Sequence, residues 1–341
     1  MIKEAIGTLV TGRSLTRDEA TSVMEEIMEG TATPAQIAAF ITALRLKGET
    51  VDEIVGLAKT MRAKAVAVNV DGPLVDTCGT GGDGSATFNI STITAFVAAG
   101  AGLNVAKHGG RAVSSQCGSA DVLEALGVKI DLAAGQVQKC IREVGIGFMF
   151  APVFHPAMKY AAPVRREIGI RTVFNILGPL TNPAVAEAQV LGVADESLLE
   201  KMAMVLRELG SRHALIVHGE DGLDEITITA KTSICELKDG HIERYSISPE
   251  DFGMSRADPD SLKGGNTEEN AGLLRNLLAG APGPQRDVML MNSAAVLLVG
   301  NKVTTLLQGV ALAGEVINRG SALEKLEQLV RFSQDLAESG Q

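Results

Sequence analysis

Leu74-Val75-Asp76-Thr77-Cys78-Gly79-Thr80-Gly81-Gly82-Asp83-Gly84 is a short apolar run that dissolves into glycines. Asn104-Val105-Ala106-Lys107-His108-Gly109-Gly110-Arg111-Ala112-Val113-Ser114-Ser115 shows the same layout further on. Each reads as a strand followed by a loop. Glycine has no Cβ, so the N–H groups of such a loop can approach an anion closely and turn toward it. One loop of this kind is ordinary turn geometry. Two close together, the second framed by Lys107, Arg111 and several hydroxyls, point to a site for a polyphosphate ester.

Outward from these loops the pattern alternates. Ile90 to Ala101 and Ser119 to Leu126 read as helices. Val128-Lys129-Ile130, Gly147 to Phe150, Gln189 to Val193 and Ala214 to Val217 read as further short strands. Strands separated by helical patterns imply right-handed crossovers and a mainly parallel sheet, whose ligands gather at the carboxyl ends of strands. Thr232 to Ser248 reads as a strand pair turning at Lys238-Asp239-Gly240, and after Asn266 the chain is helical again.

Before Leu74 the chain is helical only. Thr16-Arg17-Asp18-Glu19 and Thr50-Val51-Asp52-Glu53 fit capping boxes, as does Thr33-Pro34-Ala35-Gln36, with proline at the first helical position; Gly48 suits a left-handed helix end. The expected fold is therefore α/β. A small all-helical domain occupies residues 1–66, joined by helices from about 156–186. Residues 70–155 and 187–341 form a larger α/β domain with a mainly parallel central sheet and flanking helices. Proline and glycine break the run Asn175 to Pro183, which reads equally as a crossing between domains and as a plain surface connection.

Composition narrows the partners. A chain of 341 residues with 45% hydrophobic and 21% charged residues is globular, and a net charge of −10 disfavours general nucleic-acid binding. Any cationic site must be local. Cys78, Cys117, Cys140 and Cys235 form no Cys-x-x-Cys pair, which indicates neither a zinc site nor a disulfide framework and fits a reducing compartment. No signal-peptide layout opens the chain, and no apolar run approaches the roughly 20 residues needed to cross a bilayer. The expectation is a cytoplasmic protein with no membrane or nucleic-acid partner.

Gly79 to Gly84 formally satisfies the dinucleotide pattern G-x-G-x-x-G. Where that fold offers a carboxylate to the ribose, this chain reads Asn104, Lys107 and His108, and Ser85 to Asn89 separate the loop from its helix. No Gly-Lys-Ser/Thr follows, so it is not a Walker A loop either. Asp83 is the odd member. A bare carboxylate about 4 Å from phosphate would repel it by roughly 4 kcal/mol at an effective dielectric near 20, so Asp83 suits sugar hydroxyls or an intervening cation. Asn89, Ser91 and Thr92 fall at the start of the next helix, where open N–H groups and the helix dipole favour an anion. Lys107 and Arg111 bring charge, and Ser114, Ser115 and Ser119 bring donors. His108 stays open between a packed histidine and a ligand.

Downstream, His218-Gly219-Glu220-Asp221-Gly222-Leu223-Asp224-Glu225 carries four carboxylates after an expected strand. Such a run is either a solvated turn or a source of hard oxygen ligands for Mg²⁺, which binds one or two carboxylates plus substrate phosphates. With a polyphosphate already indicated, Asp224 and Glu225 favour the metal. Arg165-Arg166 is either an exposed pair or a fork for a substrate carboxylate.

Taken together, Asp76 to Asp83, Lys107-His108-Gly109 with Arg111 to Ser115, Gly118-Ser119-Ala120-Asp121, Asn175 to Pro183 and Asp224-Glu225 resemble the anthranilate phosphoribosyltransferases of tryptophan biosynthesis, over essentially the whole chain. The resemblance implies transfer of phosphoribose from phosphoribosyl pyrophosphate (PRPP) to the amino group of anthranilate. The products are N-(5-phosphoribosyl)anthranilate and pyrophosphate. It further implies Mg²⁺ and a homodimer.

Carried over by position, PRPP would be surrounded by Gly79, Gly82, Asp83, Thr87, Asn89, Ile90, Ser91, Thr92, Lys107, His108, Gly109, Gly110, Arg111, Ala112, Val113, Ser114, Ser115 and Ser119. Ser91, Asp224 and Glu225 would hold Mg²⁺. Anthranilate would meet Gly79, His108, Gly110, Arg165 and Pro179, with Lys107 and Arg165 the catalytic pair. One position departs: the family reads Lys-His-Gly-Asn, whose amide helps bind anthranilate, and here that position is Gly110. A raised KM for anthranilate follows.

Two rival readings share parts of this pattern. Pyrimidine nucleoside phosphorylases resemble the fold but carry Lys-His-Ser where this chain has Thr77-Cys78-Gly79. A non-catalytic nucleic-acid-binding relative is opposed by the −10 charge and by the Asp224-Glu225 pair.

Overall fold

Capping boxes start the early helices as their sequences dictate. The computed structural model describes residues 1–112 and 116–339, and opens with α1 (Ile2–Val10), α2 (Arg17–Met28), α3 (Pro34–Lys47) and α4 (Val51–Ala63). Thr16, Thr33 and Thr50 each accept from the backbone three residues on, and the Glu19, Gln36 and Glu53 side chains return the bond. Glu53 does more than cap. It is fully buried, accepts from the Leu15 N–H at 2.8 Å and pairs with Lys47 Nζ at 2.8 Å, so one carboxylate ties α4 to the α1–α2 turn and to the end of α3. Removing one partner of such a buried pair costs about 3–5 kcal/mol.

β1 (Leu74–Gly79), β2 (Asn104–Gly109), β3 (Ile146–Phe150), β4 (Ala188–Gly192), β5 (His213–Gly219), β6 (Thr232–Lys238) and β7 (His241–Ile247) form one sheet in the order β3-β2-β1-β4-β5-β6-β7. The five strands β3, β2, β1, β4 and β5 run parallel; β6 and β7 return antiparallel. α5 (Ile90–Gly100) makes the crossover from β1 to β2. The strand order reverses between β1 and β4, and in such sheets the crevice at the carboxyl ends of the reversing strands receives the ligand. β1 ends there on Gly79, in register with Gly192 of β4.

Alternation along the strands serves two cores. Leu215 and Val217 face one, built on α5 and the C-terminal helices. Ile216 and Leu191 face the other, which also holds α1–α4 and the buried side chains Val164, Val173, Phe174, Leu177 and Leu180. The expected strand Val128-Lys129-Ile130 does not form. Val128 and Ile130 are buried, but the Lys129 N–H donates to Ser333 Oγ at 3.1 Å, so the last helix takes the bond a neighbouring strand would have taken. Among the described residues no helix is long and apolar enough to cross a membrane.

Candidate active site at the reversal of strand order

The first glycine loop leaves β1 with Gly81, Gly82 and Gly84 all left-handed, at φ 63°, 76° and 71°. Thr80 N–H bonds the Gly192 carbonyl at 2.9 Å, which ties the loop to the end of β4. Across it runs the turn bearing Asp224. A Cβ on Gly79 would collide with the Asp224 carboxylate, and one on Gly192 with its carbonyl oxygen, so glycine at both register partners is what admits Asp224. Asp224 Oδ2 then accepts from the Gly81 N–H at 2.7 Å. Asp83 accepts from the Ser85 N–H and lies against Asp224.

Three carboxylates thus stand together. Burial first, and Asp83 second, raises the Asp224 carboxyl above its usual range; burial and then Asp224 push buried Glu225 well up. Like charges gathered in this way disfavour one another unless a cation intervenes. Glu225 follows Asp224 directly and acts on Lys107, whose Nζ reaches Ser91 Oγ at 3.4 Å, so Ser91, Asp224 and Glu225 border one site. Hard oxygens on a fixed frame fit Mg²⁺, which keeps waters and substrate oxygens in its shell. Among the described residues no three His, Cys, Asp or Glu side chains come together as a group that could hold a metal ion by themselves.

Lys107, on β2, is buried, and its Nζ donates to the Thr77 carbonyl at 2.7 Å and to Ser91 Oγ at 3.4 Å. Burial lowers its ammonium from the usual value, and buried Asp76 opposes that shift. Asn89 begins α5 without capping it: Nδ2 donates to the Cys117 carbonyl at 3.0 Å, while Oδ1, like Thr92 Oγ1, is buried with no partner among the described residues. Of the N–H groups expected to be open here, those of Ile90 and Thr92 are engaged, with the Phe88 and Asn89 carbonyls. The unmet groups are side-chain oxygens. Ile90 itself points into the core, and Thr87 bridges to Lys263.

In the second loop Ser119 stands over Gly109, where a Cβ would strike its hydroxyl, and Ser119 Oγ donates to the Gly110 carbonyl at 3.4 Å. Arg111 differs from expectation. Its Nη1 bonds Asp121 at 2.9 Å and Glu124 at 2.8 Å, so surface carboxylates already match its charge; Asp121 also holds the Ala112 N–H. Val113, Ser114 and Ser115 lie outside the described residues. Among the described residues there is room around Gly110, the nearest neighbour of a Cβ being Ala151 Cβ at 4.0 Å.

Beside Lys107, His108 lies by the Gly178 backbone and leaves Nε2 buried without a partner among the described residues. Its ring centroid is 5.0 Å from that of His155, which lies by the Thr181 backbone and also leaves Nε2 unmet. Burial, then His155, depresses His108 to about 3, so it is neutral at pH 7. Half-buried Arg165 lies with Cζ 5.2 Å from the Phe174 ring centroid, and no described carboxylate pairs with it. The strap Gly178 to Asn182 is held from several sides. Gln189 Nε2 donates to the Pro179 carbonyl at 2.7 Å, Arg62 Nε to Leu180 at 2.7 Å, and Asn182 Nδ2 to Asp76 at 2.7 Å and Ala106 at 2.8 Å. Gln189, Arg62 and Arg171, which reaches the glycine loop, carry no motif signal; only Asn182 falls inside a run the sequence marks out.

Two family descriptions match the chain: "glycosyl transferase family, helical bundle domain" over residues 3–65 and "glycosyl transferase family, a/b domain" over residues 71–323. The anthranilate phosphoribosyltransferase of Dehalococcoides mccartyi is 59% identical over 339 residues, 99% of each chain. The crystal structure of that enzyme from Thermus thermophilus superposes with a TM-score of 0.92 at 45% identity, covering 97% of this chain and 99% of the other. The Saccharomyces cerevisiae enzyme in complex with PRPP and Mg gives a TM-score of 0.90 at 28% identity, covering 98% of both.

Proposed function

The chain belongs to the anthranilate phosphoribosyltransferase family, and from that premise we propose how its own residues divide the reaction. The enzyme transfers phosphoribose from PRPP to the amino group of anthranilate and releases pyrophosphate, a step of tryptophan biosynthesis. The observation that carries the assignment of roles is the meeting of both glycine loops, Lys107, Asp224 and Glu225 at the carboxyl ends of β1, β2 and β4.

The loops hold the donor, with Gly79, Gly82 and Gly109 letting Asp224, Arg171 and Ser119 close on the backbone and Asn89 Oδ1 and Thr92 Oγ1 supplying the unmet polar contacts. Ser91, Asp224 and Glu225 are the residues that would hold Mg²⁺, which supplies charge neutralisation to the diphosphate. Lys107 stabilises charge on the departing pyrophosphate while the ribosyl carbon gains oxocarbenium character. Arg165, unmatched by any described carboxylate, takes the anthranilate carboxylate through a fork of two hydrogen bonds. Neutral His108, its Nε2 open, accepts an N–H of the amine, and Pro179 bounds the ring. An aromatic amine is already neutral at pH 7, so its lone pair needs orienting rather than deprotonating. Positioning and leaving-group electrostatics carry the rate.

We divide the chain into a helical lobe of α1–α4 joined by the 156–186 helices and an α/β lobe, the core of the first running on into Leu191 and Ile216 of the sheet. Working as a homodimer is supported by exposed Val10 and Leu46 at the ends of α1 and α3, and a cytoplasmic setting by cysteines scattered without a Cys-x-x-Cys pair. The nucleoside phosphorylase reading finds no lysine in Thr77-Cys78-Gly79 to receive phosphate.

A pyrophosphate-release assay with PRPP tests the reading, comparing anthranilate with other aromatic amines. Release with anthranilate at the highest kcat/KM is expected. Free base from thymidine plus phosphate, without pyrophosphate release, would overturn it.

A further inference from the structure

Arg171 reaches the first glycine loop from the opposite lobe. The helix Ala162–Ile168 ends on left-handed Gly169 (φ 69°), and three residues later Thr172 opens a short helix whose Val173 and Phe174 are buried in the helical core. Between these fixed points Arg171 extends to the loop. Its Nη1 donates to the Gly81 carbonyl at 2.6 Å and its Nη2 to the Thr80 carbonyl at 3.4 Å. Gly82 provides the seat, because a Cβ there would overlap Nη1. The guanidinium also faces Asp224.

We propose that Arg171 is a positioning residue for PRPP: gripping the carbonyls of Thr80 and Gly81 from the helical lobe, it holds the glycine loop with its amides toward the diphosphate and adds positive charge beside the carboxylates. The proposal rests on the loop being the diphosphate cradle. Left-handed glycines at 81, 82 and 84 have wide conformational freedom, so an unpinned loop must be ordered by its ligand at the expense of affinity. Arginine suits the task because its planar fork serves two carbonyls at once, which lysine does not. The fork's charge also offsets Asp224 before an anionic substrate arrives.

The test is steady-state kinetics of the full-length Arg171→Gln and Arg171→Lys variants, with thermal midpoints and calorimetric PRPP binding in the absence of anthranilate. Arg171→Gln should raise the PRPP KM and Kd about fivefold or more, the loss of one net hydrogen bond or greater, with kcat changed less than about threefold. Arg171→Lys, keeping charge without the fork, should fall between that variant and wild type. A lowered midpoint with unchanged PRPP KM would make Arg171 a mere strut; a lowered KM would make it an obstruction; either overturns the proposal. Lys107→Ala measured alongside separates the two levels. If it raises the PRPP KM and Arg171→Gln does not, only the role of Arg171 fails; if neither raises it, the cradle reading fails as well.

Discussion

Asn182 donates to the buried carboxylate of Asp76 at 2.7 Å, and Asp76 in turn is the nearest counter-charge to Lys107. Burial raises the Asp76 carboxyl while Lys107, then Asn182, hold it down. The strap proposed to border the acceptor site is thereby joined to the lysine proposed to face the donor. Two half-sites read from separate motifs share one buried polar network, in which every member matters because an unmet partner cannot turn to water.

Asn182→Ala should therefore damage both stability and turnover. It removes the bonds to Asp76 and to the Ala106 carbonyl, leaving two buried acceptors short of a donor. The expected loss is about 2–4 kcal/mol in urea unfolding, with kcat/KM for PRPP falling as Lys107 loses its fixed counter-charge. Unchanged unfolding midpoints would show that the strap is held by Gln189 and Arg62 alone.

Asp224→Ala tests the acidic turn. The side chain holds the Gly81 N–H and stands with Asp83 and Glu225, yet contributes no core packing. The fold should remain, judged by far-ultraviolet circular dichroism, while turnover drops by at least about a hundredfold and the Mg²⁺ concentration for half-maximal rate rises. Wild-type kinetics would reduce the run to a surface turn.

Gly110→Asn should lower the KM for anthranilate. The added amide meets open space, with Ala151 Cβ at 4.0 Å from the new Cβ, and the backbone there is not left-handed. One further neutral hydrogen bond is worth about 0.5–1.5 kcal/mol, up to roughly tenfold in KM. The PRPP KM should not move. An unchanged or higher anthranilate KM would place the amide outside the acceptor site.

What the sequence discloses follows from how far each interaction reaches along the chain. The boxes at Thr16, Thr33 and Thr50 close over three residues, and both glycine loops follow directly from their strands, so local reading finds them. Asp224 and Glu225 stand out by composition. Arg171, by contrast, reaches Gly81 across 90 positions, Gln189 reaches Cys78 across 111, and Arg62 reaches Leu180 across 118. Nothing in residue type marks those three. Val128 and Ile130 carry strand-like apolarity that the last helix absorbs, and two of the N–H groups expected open at the start of α5 are taken by nearby carbonyls, Ile90 by Phe88 and Thr92 by Asn89.

His108 gives the chain a particular acid sensitivity. Burial and His155 hold its folded-state value at about 3, against an ordinary 6.5. Through that window the unfolded chain binds a proton that the folded chain refuses, so stability is complete above the ordinary value and declines as pH falls through it, by up to about 1.4 kcal/mol per pH unit. Asp224 and Glu225, raised by burial, work in the opposite direction over part of the same range. The informative quantity is therefore a difference. Wild type minus His108→Asn, measured by urea unfolding, should be flat between about pH 7 and 8 and should fall steadily from about pH 6.5 to 5 as the histidine-specific penalty grows. A difference independent of pH across that whole span would mean that the imidazole is charged or solvated in the folded enzyme, and would remove His108 as the neutral acceptor facing the amine.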